Sequence, residues 1–74
     1  MTKGLLSEFA TYMRNTEYKP GQFYKESTIK DYINRIKRNT LSYSVEDLKK
    51  LENTLTNKDD RSAVKLFITF LEIN

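Results

Sequence analysis

Residues 25–38 constrain the fold of this chain most, because their apolar side chains recur with the period of a helix. The apolar positions, spaced i, i+3, i+4 and i+7, are Ile29, Tyr32, Ile33 and Ile36. At about 100° per residue, the polar positions fall on the opposite side of that helix. They are Lys30, Asn34, Lys37 and Arg38. The segment therefore predicts a helix over about 28–39 that buries one face and shows water a basic, hydrogen-bonding face.

The expected start of this helix carries Ser27 and Thr28, whose hydroxyl groups commonly cap helices. Free backbone N–H groups and the positive end of the helix macrodipole would then lie beside the basic face. This combination favours the binding of phosphate groups. The alternative is a solvated basic face that has no partner.

Three other segments show helical spacing, so we expect an all-α protein that folds as a compact four-helix domain. The expected helices cover residues 4–15, 28–39, 45–56 and 61–72. The third opens on Ser44-Val45-Glu46-Asp47, which is similar to a capping box, and Asp59 or Asp60 is expected to cap the fourth. The expected core residues are Leu5, Phe9, Tyr12, Ile29, Ile33, Ile36, Leu51, Val64, Phe67 and Leu71.

The fourth expected helix is apolar over more than half of its circumference. Such a helix either lies at the centre of its own core or contacts a second partner. Central packing is the first interpretation. The alternative is an exposed edge that docks a protein or a second copy of the chain, and its residues are Leu66, Phe70 and Ile73.

Residues 16–26 are expected to form the longest irregular connection, with a turn at Pro20-Gly21. Three aromatic residues flank this turn, namely Tyr18, Phe23 and Tyr24. We expect them to fold back onto the core. The alternative is that they stack on bases or on a flat ligand.

Composition excludes several classes of protein. With 74 residues, two Gly and one Pro, the chain is one small domain over residues 1–74 and is too poor in turn residues for a β-sandwich. It has no Cys and no His, and therefore neither thiolate or imidazole metal ligands nor the usual general base. Five Tyr without such a partner offer no nucleophile–base pair. We expect a binding protein without enzymatic activity, metal or cofactor.

The formal charge is +3, from 13 basic and 10 acidic residues. The excess is localised, because residues 19–38 hold six basic and two acidic side chains. A modest basic patch of this kind suggests an anionic partner. No signal peptide is visible and the longest apolar run, residues 66–68, is too short for a membrane span, so we expect a cytoplasmic protein.

Several short motifs resemble one known family. They are Phe9 and Tyr12, the run Ser27-Thr28-Ile29-Lys30-Asp31-Tyr32, the run Arg35-Ile36-Lys37-Arg38, and the segment 62–71. Over about residues 5–72 the chain resembles the N-terminal core-binding domain of tyrosine recombinases, the phage-integrase type with a SAM-like fold. Residues 16–23 are longer than the connection usual in that family. The 74 residues also lack the Arg/His/Arg set of the recombinase catalytic domain.

The resemblance implies a phage or mobile-element protein that clamps one side of duplex DNA with its second helix. Carried over by position, the implied contacts are Lys25, Ser27, Thr28, Lys30, Asn34, Lys37 and Arg38. Most would be phosphate contacts, with base readout limited to Asn34 or Arg38. The alternative is a small phage or mobile-element module that docks onto a protein through its apolar C-terminal helix.

Overall fold

Four helices and one small hairpin make up the computed structural model, which describes residues 2–73 and, for residues 2 and 3, the backbone alone. The helices are α1 (Thr2–Arg14), α2 (Glu26–Asn39), α3 (Val45–Thr54) and α4 (Lys58–Ile73). The antiparallel hairpin joins β1 (Glu17–Lys19) to β2 (Gln22–Phe23). The expected mostly helical, four-helix architecture is confirmed. Between residues 2 and 73, no helix combines the length and apolar character that crossing a membrane requires.

The core is built around α4, which packs against each of the other three helices. Phe67 lies at its centre and has no exposed surface. The ring of Phe67 meets Phe9 of α1 at a centroid distance of 4.9 Å and meets Tyr43, just before α3, at 5.5 Å. One side chain of α4 therefore links α1 to the start of α3 through aromatic contacts.

The expected core residues fall into two groups. Phe9, Ile29, Ile36, Val64 and Phe67 are buried, as expected. The other five pack against this core but are only partly buried, and they are Leu5, Tyr12, Ile33, Leu51 and Leu71. The structure adds seven buried residues, which are Leu6, Ala10, Met13, Leu48, Ala63, Ile68 and Phe70.

The expectation that residues 16–26 form an irregular connection is wrong in part, because this segment contains the β1–β2 hairpin. The turn at Pro20-Gly21 is confirmed, and Gly21 has a φ of +76°, which a residue without a Cβ adopts freely. The Glu17 carboxylate accepts a hydrogen bond of 2.6 Å from the Gly21 N–H. Of the three aromatic residues, Tyr24 packs against the core, whereas Tyr18 and Phe23 are 46% and 49% exposed.

Two expected helix caps are wrong. The second helix begins at Glu26, so Ser27 and Thr28 lie inside its first turn and cap nothing. This earlier start is accompanied by a long-range ion pair, in which Arg14 Nε donates to the Glu26 carboxylate at 2.7 Å. The fourth helix is capped by Asn57, whose side-chain oxygen accepts from the N–H groups of Asp59 (2.9 Å) and Asp60 (3.2 Å).

The cap of α3 lies at Ser44, as expected, but its hydroxyl makes no capping hydrogen bond. The Asp47 carboxylate instead accepts a hydrogen bond of 2.8 Å from the Ser42 hydroxyl. A contact with the preceding loop therefore replaces the reciprocal bonds of a capping box.

One ion-pair network joins α2 to α4. Arg35 donates through Nη1 to Asp60 Oδ1 at 2.7 Å and through Nε to Asp31 Oδ2 at 2.8 Å. Arg35 and Asp60 expose only 18% and 13% of their side chains, so water screens this pair less than it screens a surface pair. The hydrogen bond from Arg35 lowers the pKa of Asp60 below its usual range.

Replacing Phe67 tests the placement of the core. Phe67→Ala should lower the free energy of unfolding by about 3–5 kcal/mol, the usual loss for a buried aromatic side chain. That loss is most of the stability of a domain of this size. Urea unfolding followed by circular dichroism measures it, with Leu41→Ala as the control because Leu41 is 100% exposed. A Phe67→Ala protein that unfolds cooperatively at the wild-type midpoint would contradict this core.

The Arg35–Asp60 pair predicts a defined acid dependence. Because the pKa of Asp60 is lowered in the folded state, the pair stabilises the protein above the unfolded pKa of about 4. This stabilisation is lost as the pH falls through the lower, folded value. Asp60→Asn should therefore have a lower urea midpoint than wild type at pH 7 and a smaller further drop between about pH 4 and pH 2. Parallel pH profiles for the two proteins would show that Asp60 does not contribute in this way.

Candidate functional site

The outward side of α2 carries a row of exposed polar side chains on successive turns. Its members are Lys30, Asn34 and Lys37, all exposed to solvent. The burial of Ile29 and Ile36 on the opposite side fixes this orientation. In the described part of the chain, none of the three makes an ion pair or a side-chain hydrogen bond. Their charged and amide groups are therefore available to a ligand.

The two arginines of α2 differ from these lysines. Arg35 is held between Asp31 and Asp60, so its charge is already compensated within the fold. Arg38 is 64% exposed, but its Nη2 lies 3.4 Å from Asp60 Oδ1. Arg38 therefore shares the Asp60 carboxylate with Arg35, which binds it at the shorter distance of 2.7 Å. Of the four cations of α2, Lys30 and Lys37 are the two that form no ion pair with any residue that the structure describes.

The N-terminus of α2 is less favourable for an anion than the sequence suggested. Ser27 is exposed there, but Glu26 lies in the same first turn. The pKa of Glu26 is lowered by its hydrogen bond with Arg14 and, less strongly, by the charge of Lys30. An ionised carboxylate therefore already lies at the positive end of the helix, where it meets the macrodipole. The turns from Lys30 to Arg38 are the better place for a phosphate.

The seven residues named for DNA contact lie on two different surfaces. Five lie together on the outward side of α2, which we call the basic face: Ser27, Lys30, Asn34, Lys37 and Arg38. Thr28 precedes Lys30 by two residues and therefore lies about 160° away around the helix. Thr28 and Lys25 instead line a groove formed with Tyr18, Tyr24 and Tyr32, which we call the tyrosine groove.

The three residues named for protein docking also differ in exposure. Phe70 is buried, with its ring 5.4 Å from that of Phe9 and 5.3 Å from that of Tyr12. Leu66 is partly buried and lines an extension of the tyrosine groove. Ile73 is 65% exposed at the mouth of a shallow groove between α1 and α4. The expected continuous apolar edge is thus interrupted at Phe70, whose side chain belongs to the core.

A second group of cations was not singled out in the sequence. Lys58, Arg61 and Lys65 lie on one side of α4 and line a small depression with Ser62 and with Glu52 of α3. These three cations make no ion pair in the described structure. The i, i+3, i+7 spacing of the group is visible in the sequence. These cations were not named as candidates because the apolar pattern of the same helix is much stronger. Between residues 2 and 73 no cluster of three or more acidic side chains is arranged to hold a metal ion.

Comparisons with protein families, with curated proteins and with solved structures found no match.

Proposed function

We propose that this chain is a duplex-DNA-binding module that contacts backbone phosphates with the basic face of α2. The proposal rests on two exposed lysines, Lys30 and Lys37, which lie on either side of Asn34 along one helix and form no ion pair with the described residues. In this proposal the protein binds and does not catalyse. It acts as a SAM-like, core-binding type of domain, as the resemblance to tyrosine recombinases implies.

The chemistry of the basic face matches a row of phosphates. Lys30 and Lys37 are compact charges on flexible stems, and each neutralises a phosphate and releases condensed counterions. Asn34 lies between them and can donate to a phosphate oxygen or pair with an adenine edge. Arg38 supplies a further cation at the end of the helix, where it also complements the macrodipole.

The size of the face sets the strength of binding. With Lys25 and Thr28 in the tyrosine groove, the face provides about three cationic contacts, whereas the seven residues named from the sequence include four cations. Binding should therefore be weak and largely independent of sequence, with a slope of about −3 in log K against log [salt]. A partner domain or a second copy on neighbouring DNA would strengthen it through avidity.

Charge reversal on the basic face tests the proposal. Replacing Lys30 and Lys37 together by Glu leaves the core and the Arg35–Asp60 pair intact, so the variant should fold like wild type. Its affinity for duplex DNA should fall at least about tenfold at moderate salt, and each lost phosphate contact should reduce the salt slope by about one unit. Fluorescence anisotropy with a labelled random duplex measures both quantities.

The matched control is the double variant Lys19→Glu, Lys50→Glu, which changes the net charge equally at exposed, unpaired lysines outside α2. It should bind the duplex more tightly than the α2 variant does. Equal loss in the two double variants would mean that net charge, and not the basic face, determines binding. Absence of any duplex binding by wild type would favour the other function, a protein-interaction module that docks near the exposed Ile73.

A further inference from the structure

The tyrosine groove is a second surface that the proposed duplex contact does not use. Tyr18 of β1, Tyr24 after β2 and Tyr32 of α2 form a row, with ring centroids 5.1 Å apart for the first pair and 6.1 Å apart for the second. The groove beside them measures about 380 Å³. A second groove of about 340 Å³ shares Tyr24 and Tyr32 with it and is lined on α4 by Lys65 and Leu66.

Lysines that make no ion pair with the described residues lie beside this row. Lys25 lines the tyrosine groove, and Lys65 lines the second groove. Lys65 also belongs to the neighbouring depression, to which Lys58 and Arg61 contribute two more cations and Glu52 one carboxylate. The surface around the tyrosines and the adjoining depression on α4 therefore carries four cations, Lys25, Lys58, Arg61 and Lys65.

Acidic residues near the row offset part of this charge, because Asp31, Asp59 and Asp60 share only two cations, Arg35 and Arg38. Asp31 and Asp59 lie close enough to Tyr32 to contribute to the rise in its pKa, but burial is the larger cause. Asp31 is bound to Arg35 at 2.8 Å, and the Asp59 carboxylate lies 3.8 Å from the same guanidinium. Burial also raises the pKa of Tyr24. The phenols of Tyr24 and Tyr32 consequently stay neutral at physiological pH, each with an O–H donor.

Packing alone does not explain the composition of the groove. Tyr24 packs against the core and joins the hairpin to the helices, which is a structural role. Tyr18, however, leaves 46% of its surface in water at the open end of the row. An exposed aromatic ring next to two tyrosines and a free lysine is available to a flat partner that carries negative charge.

We propose that the tyrosine groove binds single-stranded nucleic acid, with bases stacked on the tyrosine rings and phosphates held by the flanking lysines. Aromatic rings beside a cationic groove are the common means of binding an unpaired strand. A duplex does not fit this row equally well, because its bases are already stacked on one another and do not present free faces. A protein partner is disfavoured by the flanking lysines, since the centres of protein interfaces are depleted in lysine.

The two surfaces lie on different sides of α2. Tyr32 follows Lys30 by two residues, which separates their side chains by about 160° around the helix. The single-strand groove can therefore be altered without touching the basic face. Failure of one proposal is then distinguishable from failure of the other.

The test uses the whole chain and a labelled oligothymidine of about 12 nucleotides, within the range of site sizes known for single-strand binders. Measured by anisotropy at about 0.15 M salt, Tyr18→Ala should weaken binding about fivefold or more, the lower limit for the loss of one stacked base. Tyr18→Phe keeps the π-face and should stay within about twofold of wild type. Because the chain has five Tyr and no Trp, stacking should also quench its intrinsic emission at saturation.

Further variants separate this groove from the basic face. Lys65→Glu should weaken oligothymidine binding and make its salt slope shallower, whereas Lys50→Glu, on α3, should not. The Lys30→Glu, Lys37→Glu protein should keep its affinity for oligothymidine whether or not it loses duplex binding.

Three results would overturn the proposal. One is the absence of oligothymidine binding by wild type, and another is equal affinity of wild type and Tyr18→Ala. The third is an equal loss in Tyr18→Phe and Tyr18→Ala, which would assign the contact to the hydroxyl and not to stacking. Concentration-dependent self-association that Tyr18→Ala abolishes, in a protein that ignores oligothymidine, would instead make the groove a protein interface.

Discussion

The burial of Phe67 is the interaction on which the arrangement of the helices depends. Its ring contacts Phe9 of α1, Tyr43 before α3 and Phe70 one turn further along α4. In a chain of 74 residues without disulfides, few other contacts can hold separate helices together. The same packing places Phe70 in the core and so removes it from the surface, although its position along α4 made it a candidate for docking.

The orientation of α2 follows from this core and from one ion-pair network. Ile29 and Ile36 are buried on one side of the helix, and Arg35 forms an ion pair with Asp60 of α4. These contacts fix the rotation of the helix about its axis. Lys30 and Lys37 then point outward, whereas Tyr32 lies on the far side with the other tyrosines of the groove. The two proposed binding surfaces are thus consequences of a single helix held by its neighbours.

The sequence predicted those elements that are long enough to show a periodic pattern of apolar residues. The four helices could be predicted because apolar residues, such as Ile29, Ile33 and Ile36 in α2, repeat at the helical period over ten or more residues. The hairpin was missed because β1 and β2 have three and two residues, too few to show an alternating pattern.

Other differences come from contacts between distant residues, which no local pattern records. The start of α2 at Glu26 accompanies its ion pair with Arg14, and Asp60 binds Arg35 while Asn57 caps α4. For the candidate site, the basic face could be predicted, since its residues share one helix. The separation of Thr28 from that face follows from the same helical period and could also have been predicted. The position of Lys25 beside the tyrosines could not, because it depends on where the hairpin places Tyr18 and Tyr24.

An amide NMR titration of the isotope-labelled protein with a short duplex would locate bound DNA residue by residue. If the basic face binds the duplex, the resonances of Lys30, Asn34, Lys37 and Arg38 should shift with added duplex, and these shifts should vanish at high salt. The resonances of Tyr18 and Tyr24 should stay in place. Shifts confined to the tyrosine groove, or no shifts at any duplex concentration, would contradict the assignment of the basic face as the DNA contact.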